Sequence, residues 1–189
     1  NGNTPSRLNT VLVSSDLREK FDANPNDTRR LLWFDANWNV TKKRLSYPSG
    51  TPRMPTNSIR MSEAYLNRAE ALVQDNQIGL AWDDLEHLRE NRYRDYDEAE
   101  ITDAVALLEA IREERRLELC YDEVRWFDLR RYGMPAISHR YKARSSANWQ
   151  TYVLTEKDPL YTLPINEVMD ENPGLQQNES AKQPLRQGK

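Results

Sequence analysis

Carboxylates are the most numerous groups in this sequence that could do chemistry, and glycoside hydrolysis is the chemistry that paired carboxylates perform, with two acids ~5–10 Å apart across the scissile bond. Asp83-Asp84 and Glu113-Glu114 are adjacent pairs, but the chain has 30 acidic residues. Pairs arise by chance at that density, and most sit on solvated helix faces. Other reactive types are thin. His87 and His139 are the only histidines, neither has a second at metal-ligand spacing, and both read as surface or capping residues. Cys120 is the one cysteine, so no internal disulfide can form. It sits in a helical stretch and reads as a small buried hydrophobe. The sequence holds no nucleophile elbow, no glycine-rich phosphate loop and no CxxC pair. The expectation is a protein with no catalytic residues, no metal and no cofactor.

A second chemistry needs no reactive group. Sugar rings present a C–H face that stacks on aromatic rings, with amides and arginines reaching the hydroxyls. Trp33, Trp38 and Trp149 stand outside helical stripes, and Trp149 lies between Asn148 and Gln150 in a polar stretch. Trp33 is assigned to core packing, which leaves Trp38, Asn148 and Trp149 as the candidate carbohydrate contacts.

A third group concerns charge. Arg115 and Glu118 are i,i+3 neighbours, as are Arg125 and Asp128, and Asp128 and Arg131. They are interleaved with Leu117, Leu119, Trp126, Phe127 and Leu129. So many apolar neighbours leave little room for all five charges to face water. The spacing predicts an ion-pair lattice that clasps two helices, since arginine's fork suits bidentate pairing in a partly dry interface. The alternative is a set of exposed pairs worth ~0–1 kcal/mol each.

Behind these residues stands a wet polypeptide of 189 residues with mean hydropathy −0.91 and 38% hydrophobic residues. That is below the usual ~45–50%, so part of the core is expected to lie outside the chain. Net charge is −3, and acids are interleaved with most of the 27 lysines and arginines, which argues against nucleic acid. No apolar run reaches the ~18–20 residues of a membrane span. The start, Asn1-Gly2-Asn3-Thr4-Pro5, has neither the basic nor the apolar region of a targeting signal.

Residues 1–57 are poorly periodic. Leu8 and Val11 to Val13 form a short apolar patch, Ser15 to Phe21 fits one or two helical turns capped by Ser15, and Leu31-Leu32-Trp33-Phe34 and Trp38-Asn39-Val40-Thr41 read as two strands of a hairpin turning at Asp35-Ala36-Asn37. Prolines then interrupt regular structure up to Pro55. Residues 58–135 are helical in pattern: an antiparallel pair about 58–94 turning at Asp75-Asn76-Gln77, a long helix capped by Thr102 and ending near Tyr121, and a short helix Val124 to Tyr132 closed by Gly133 and Pro135. Residues 136–189 read as a polar loop from Ser138 to Asp158, an extended Leu160 to Ile165, a turn at Asn172-Pro173-Gly174 and a frayed end from Ala181. The helix pair has the length of one tetratricopeptide unit, roughly 34 residues, and such a unit cannot bury its own faces alone. The fold class is therefore mainly α: a tetratricopeptide-like antiparallel pair, a long and a short helix, irregular loops and a small β-hairpin, within one domain that is part of a larger fold.

Three ordered segments carry a more specific signal. Arg60-Met61-Ser62-Glu63-Ala64-Tyr65-Leu66-Asn67-Arg68-Ala69-Glu70-Ala71 is the first. Glu114-Arg115-Arg116-Leu117-Glu118-Leu119 through Arg125-Trp126-Phe127-Asp128-Leu129-Arg130-Arg131 is the second. Leu163-Pro164-Ile165-Asn166-Glu167-Val168 followed by Asn172-Pro173-Gly174-Leu175-Gln176-Gln177-Asn178 is the third. Together they resemble the C-terminal portion of the SusD/RagB family of outer-membrane nutrient-binding lipoproteins. One departure is Asp122-Glu123-Val124 where members carry Glu-Gly before the Arg-Trp pair, which puts the turn geometry there in question. The resemblance implies a non-catalytic, glycan-binding component of a bacterial nutrient importer. Its partners would be a SusC-like TonB-dependent transporter and an oligosaccharide or polysaccharide. It would sit on the extracellular face of the outer membrane through an N-terminal lipid anchor that this chain does not contain. A helical-repeat adaptor for proteins is the alternative, and a glycoside hydrolase a more distant one.

Overall fold

A computed structural model describes residues 13–40, 60–142, 147–165, 174–184 and 188. The apolar residues before Val13, the proline-interrupted stretch up to Pro55, and the Asn172-Pro173 turn lie outside the described residues. The chain forms two compact units, residues 1–124 and 125–189.

Among the described residues, the regular elements of the first unit are all helices. Helix α1, Ser15–Asp22, starts where the Ser14 hydroxyl accepts from the Leu17 amide at 3.3 Å, one residue before the expected cap, and buries Leu17 and Phe21. Helix α2, Thr28–Trp33, is capped by Asp27, whose carboxylate accepts from the Arg29 amide at 2.9 Å. Helices α3, Met61–Gln74, and α4, Ile78–Glu90, run antiparallel across a tight turn. There Asn76 takes the left-handed conformation at φ 57° and the Gln77 amide closes on the Leu72 carbonyl at 2.8 Å. Helix α5, Ala104–Glu118, is capped by Asp103 rather than Thr102, through the Ala106 amide at 2.8 Å.

Two apolar clusters share α5. Its first half supplies Leu107 and Ile111 to a core with Leu66, Ala69 and Val73 of α3 and Ala81, Trp82, Leu85 and Leu88 of α4. Its second half supplies Leu117, followed by Cys120, to a core with Val13, Leu17, Phe21 and Phe34. The small residues Ala69 and Ala81, both fully buried, let α3 and α4 approach closely.

The expected hairpin over 31–41 is not formed. Leu31 to Trp33 complete α2, and only Phe34 and Val40 meet in an isolated antiparallel bridge around a turn at Asp35. The Asp35 carboxylate accepts from the Asn39 side-chain amide and from the backbone amides of Asn39 and Asn37, and those bonds hold its pKa below its ordinary value. The apolar run misled because its leucines do not enter the core: Leu31 is 65% and Leu32 51% exposed.

The small sheet lies instead in the second unit, within the stretch expected to be a loop. Strands β1, Ile137–Tyr141, and β2, Gln150–Leu154, pair antiparallel from Ile137↔Leu154 to Tyr141↔Gln150. This unit opens with helix α6, Arg125–Arg131, which ends at Gly133 in the left-handed conformation, φ 91°, with the Met134 amide donating to the Leu129 carbonyl at 2.9 Å. Tyr161, fully buried in a 3₁₀ turn at Pro159–Tyr161, stacks on Trp126 at 4.9 Å between ring centroids and donates its hydroxyl to the Pro135 carbonyl at 2.6 Å. The last motif holds itself together. The Gln177 amide exchanges two hydrogen bonds with the Ile165 backbone, at 2.9 and 2.8 Å, and Asn178 donates to the Leu163 carbonyl at 2.7 Å. A second 3₁₀ turn, Glu179–Lys182, gives local order to part of the end expected to fray.

At the Asp122-Glu123-Val124 segment, Glu123 has φ 63° and Tyr121 φ 66°. These left-handed conformations put strain on residues with side chains. Glu123→Gly is expected to raise the unfolding free energy by about 1 kcal/mol, read by chemical denaturation. A variant no more stable than the parent would contradict this.

Candidate functional site

The largest concentration of ionisable groups is in the first unit, and it is buried. Arg29 is 1% exposed, and Asp27, Glu114 and Glu118 are between 0 and 2%. The Arg29 guanidinium donates to Asp27 through Nε and Nη2, at 2.9 and 2.8 Å, to Glu118 at 3.1 Å through Nη1, and to the Tyr93 hydroxyl at 3.0 Å. Glu114 Oε1 lies 2.6 Å from Arg29 Nη1, while Oε2 accepts from Arg89 at 3.1 Å and from the Tyr93 hydroxyl at 2.8 Å. Glu118 accepts from Arg92 at 2.8 and 2.9 Å and from Arg60 at 3.1 Å. Arg60 also donates to Asp122 at 2.7 Å.

The electrostatics follow from this shell. Burial works against the charge on Arg29, but Glu114 and Asp27 outweigh it and hold the pKa well above the ordinary arginine value. Burial also opposes the charge on Glu118, yet Arg92, Arg29 and Arg60 bring its pKa down to about 2. Burial and then Glu114 push the Tyr93 hydroxyl up, and burial lifts Tyr96 to about 12. Glu118 is therefore an anion at neutral pH, the opposite of what a general acid requires. These groups tie α2, α5 and the end of α4 together.

The five lattice residues fall in both units. Arg115 is nearly buried and donates to Asn67 of α3 at 2.7 Å, with Glu63 at 3.5 Å, and Glu118 belongs to the network just described. In α6, Arg131 donates to Asp128 at 2.9 Å, an i,i+3 pair. Burial lowers the Arg125 pKa, with Asp128 acting against it. Asp27, Arg29, Arg89, Arg92, Tyr93 and Glu114 were not among the expected site residues. Their signal is present in the spacing: Arg89 and Arg92 are i,i+3 at the end of α4, facing Glu114 and Glu118, i,i+4 on α5.

The carbohydrate candidates differ in surroundings. Trp38 is half-buried, at φ 63°, against Phe21 and Phe34 at 6.3 and 5.3 Å, with the Arg30 guanidinium 3.8 Å from its ring centroid. Trp33 is half-buried, with Arg29 and Arg60 at 5.9 and 6.0 Å. Trp149, by contrast, is 41% exposed, next to the exposed Asn148 and immediately before β2. Arg140 lies 5.0 Å and Lys142 4.8 Å from its ring centroid. Also in the second unit is an apolar cavity of about 450 Å³ between α6 and the hairpin, lined by residues including Trp126, Leu129, Ile137, His139 and Tyr152. His139 thus borders a cavity, and His87 stacks on Tyr65 at 5.0 Å. Among the described residues no cluster of three potential metal ligands occurs, and no helix is long and apolar enough to cross a membrane.

Solved structures share the fold. A protein from Bacteroides vulgatus named for sugar binding superposes with a TM-score of 0.65 at 23% identity, over 88% of this chain and 38% of its own. A SusD-like carbohydrate binding protein, also from Bacteroides vulgatus, gives 0.57 at 18% identity, over 92% and 43%. A SusD-like protein from Bacteroides fragilis gives 0.53 at 23% identity, over 75% and 28%. The chain therefore spans less than half the length of these structures. No curated protein matches it. The sequence pattern of the SusD family matches residues 22–180, a span that takes in the segment from α2 through the Gln177-Asn178 clamp, and the chain belongs to the SusD family.

Proposed function

We propose that this chain is the C-terminal part of a non-catalytic glycan-binding protein of a bacterial outer-membrane uptake system. The full-length molecule is held by lipid on the extracellular face, where it serves a SusC-like TonB-dependent transporter by presenting an oligosaccharide or polysaccharide. The observation that carries this reading is the family match over residues 22–180. The sites favour gripping over cutting. The buried acids Asp27, Glu114 and Glu118 are each bound to arginine, a scaffold that leaves them no substrate to protonate. Trp149 offers an exposed stacking surface, with the exposed Asn148 beside it as a hydrogen-bonding neighbour.

Titration calorimetry of the full-length protein against a panel of polysaccharides is expected to give saturable heat with at least one of them. Chromatography of the same samples is expected to recover the glycan uncut. Heat with no glycan would favour the protein adaptor instead, and released product would favour a hydrolase.

A further inference from the structure

The β1–β2 hairpin departs from the charge balance of the chain. From Ile137 to Leu154 the sequence contains Arg140, Lys142 and Arg144 and no aspartate or glutamate, within a chain of net charge −3. Strand alternation sorts these residues. Ser138 pairs with Val153 and Arg140 with Thr151, so these four share one face, and one further step of the register sets Lys142 opposite Trp149 on that same face. The ring distances agree, with both cations within 5.0 Å of the Trp149 centroid. The face is open: Val153 is 50% exposed, and Ser138 and Arg140 are exposed as well. Among the described residues no carboxylate pairs with Arg140. A guanidinium that contacts an indole uses none of its N–H donors on the ring's π face, which leaves its fork for a bidentate oxyanion.

We infer that this face binds an anionic polysaccharide, whose sugar rings carry carboxylate or sulfate groups, with Trp149 as the stacking platform and Arg140 and Lys142 as the counter-charges. The inference rests on the carbohydrate reading above and specifies its substrate class. A neutral sugar would use the indole but leave Arg140 without a counter-charge. Nucleic acid requires a basic surface many phosphates long, and the two described cations beside Trp149 do not provide it.

The test compares the full-length protein and its R140A/K142A and W149A variants by calorimetry on two matched pairs of polymers. Polygalacturonate is set against its fully methyl-esterified form, and dextran sulfate against dextran. In at least one pair the anionic member is expected to bind at least tenfold tighter than its neutral counterpart. That gap should shrink at least fivefold in R140A/K142A, while W149A weakens the anionic polymer at least fivefold. Equal affinity within both pairs, a preference undiminished in R140A/K142A, or equally tight binding of a single-stranded DNA oligonucleotide would each overturn the inference. Binding to neutral glycans without an anionic preference would leave the carbohydrate reading standing and this one refuted. Silence towards every glycan would remove both.

Discussion

Replacing Arg29 with methionine is expected to lower the unfolding free energy by about 3–5 kcal/mol, the usual cost of breaking a buried ion pair from one side. The guanidinium is 1% exposed and simultaneously serves Asp27, Glu118 and the Tyr93 hydroxyl, with Glu114 Oε1 2.6 Å away. Methionine fills much of the same volume, so the loss is electrostatic: acids that are almost wholly buried lose a shared cation. Arg29→Lys is expected to recover only part of the deficit, because one ammonium cannot reproduce the planar fork that serves three elements at once. Urea denaturation followed by tryptophan fluorescence reads both variants. A loss below about 1 kcal/mol for the methionine variant would mean that the cluster is hydrated and behaves as a surface pair.

Acid should find the same network through Glu118. Its pKa is depressed from 4.5 to about 2, so its contribution is complete above the unfolded value and disappears as pH falls through the folded one. A shift of that size corresponds to about 3 kcal/mol, lost between roughly pH 5 and pH 2. Its side chain is fully buried, so solvent screening does not diminish the effect. Glu118→Gln is expected to be less stable than the parent at pH 7 and to show a flatter fall over that window. The check is the difference between the two pH–stability curves: parallel curves would show that the acid sensitivity comes from elsewhere.

The helical scaffold was legible because its apolar residues recur at helical spacing and its turns carry their own chemistry. Leu66, Ala69 and Val73 against Ala81, Leu85 and Leu88 announce an antiparallel pair, and Gly133 announces the end of α6. The β elements were not legible, for opposite reasons in two places. Leu31-Leu32 are apolar yet exposed on a helix, where Asp27 and the burial of Arg29 decide the conformation. The true strands carry serine, arginine and threonine on one face, so their alternation hides inside a polar stretch. The buried charges were half legible. Arg115 and Glu118 stand out among leucines, but the partners that neutralise Glu118 come from positions 26 to 89 residues away in the chain, a separation that no local pattern encodes. Trp149 was marked by its neighbours Asn148 and Gln150, whereas the cations beside it became visible only once the strands were paired.

Cys120 is the lone thiol of the chain and sits in the second apolar cluster with Val13, Leu17, Phe21 and Phe34. A water-borne alkylating reagent can reach its sulfur only when the packing around it parts. The rate of labelling, compared with that of a small free thiol, therefore measures how often this one region breathes. No reporter group has to be introduced for that measurement.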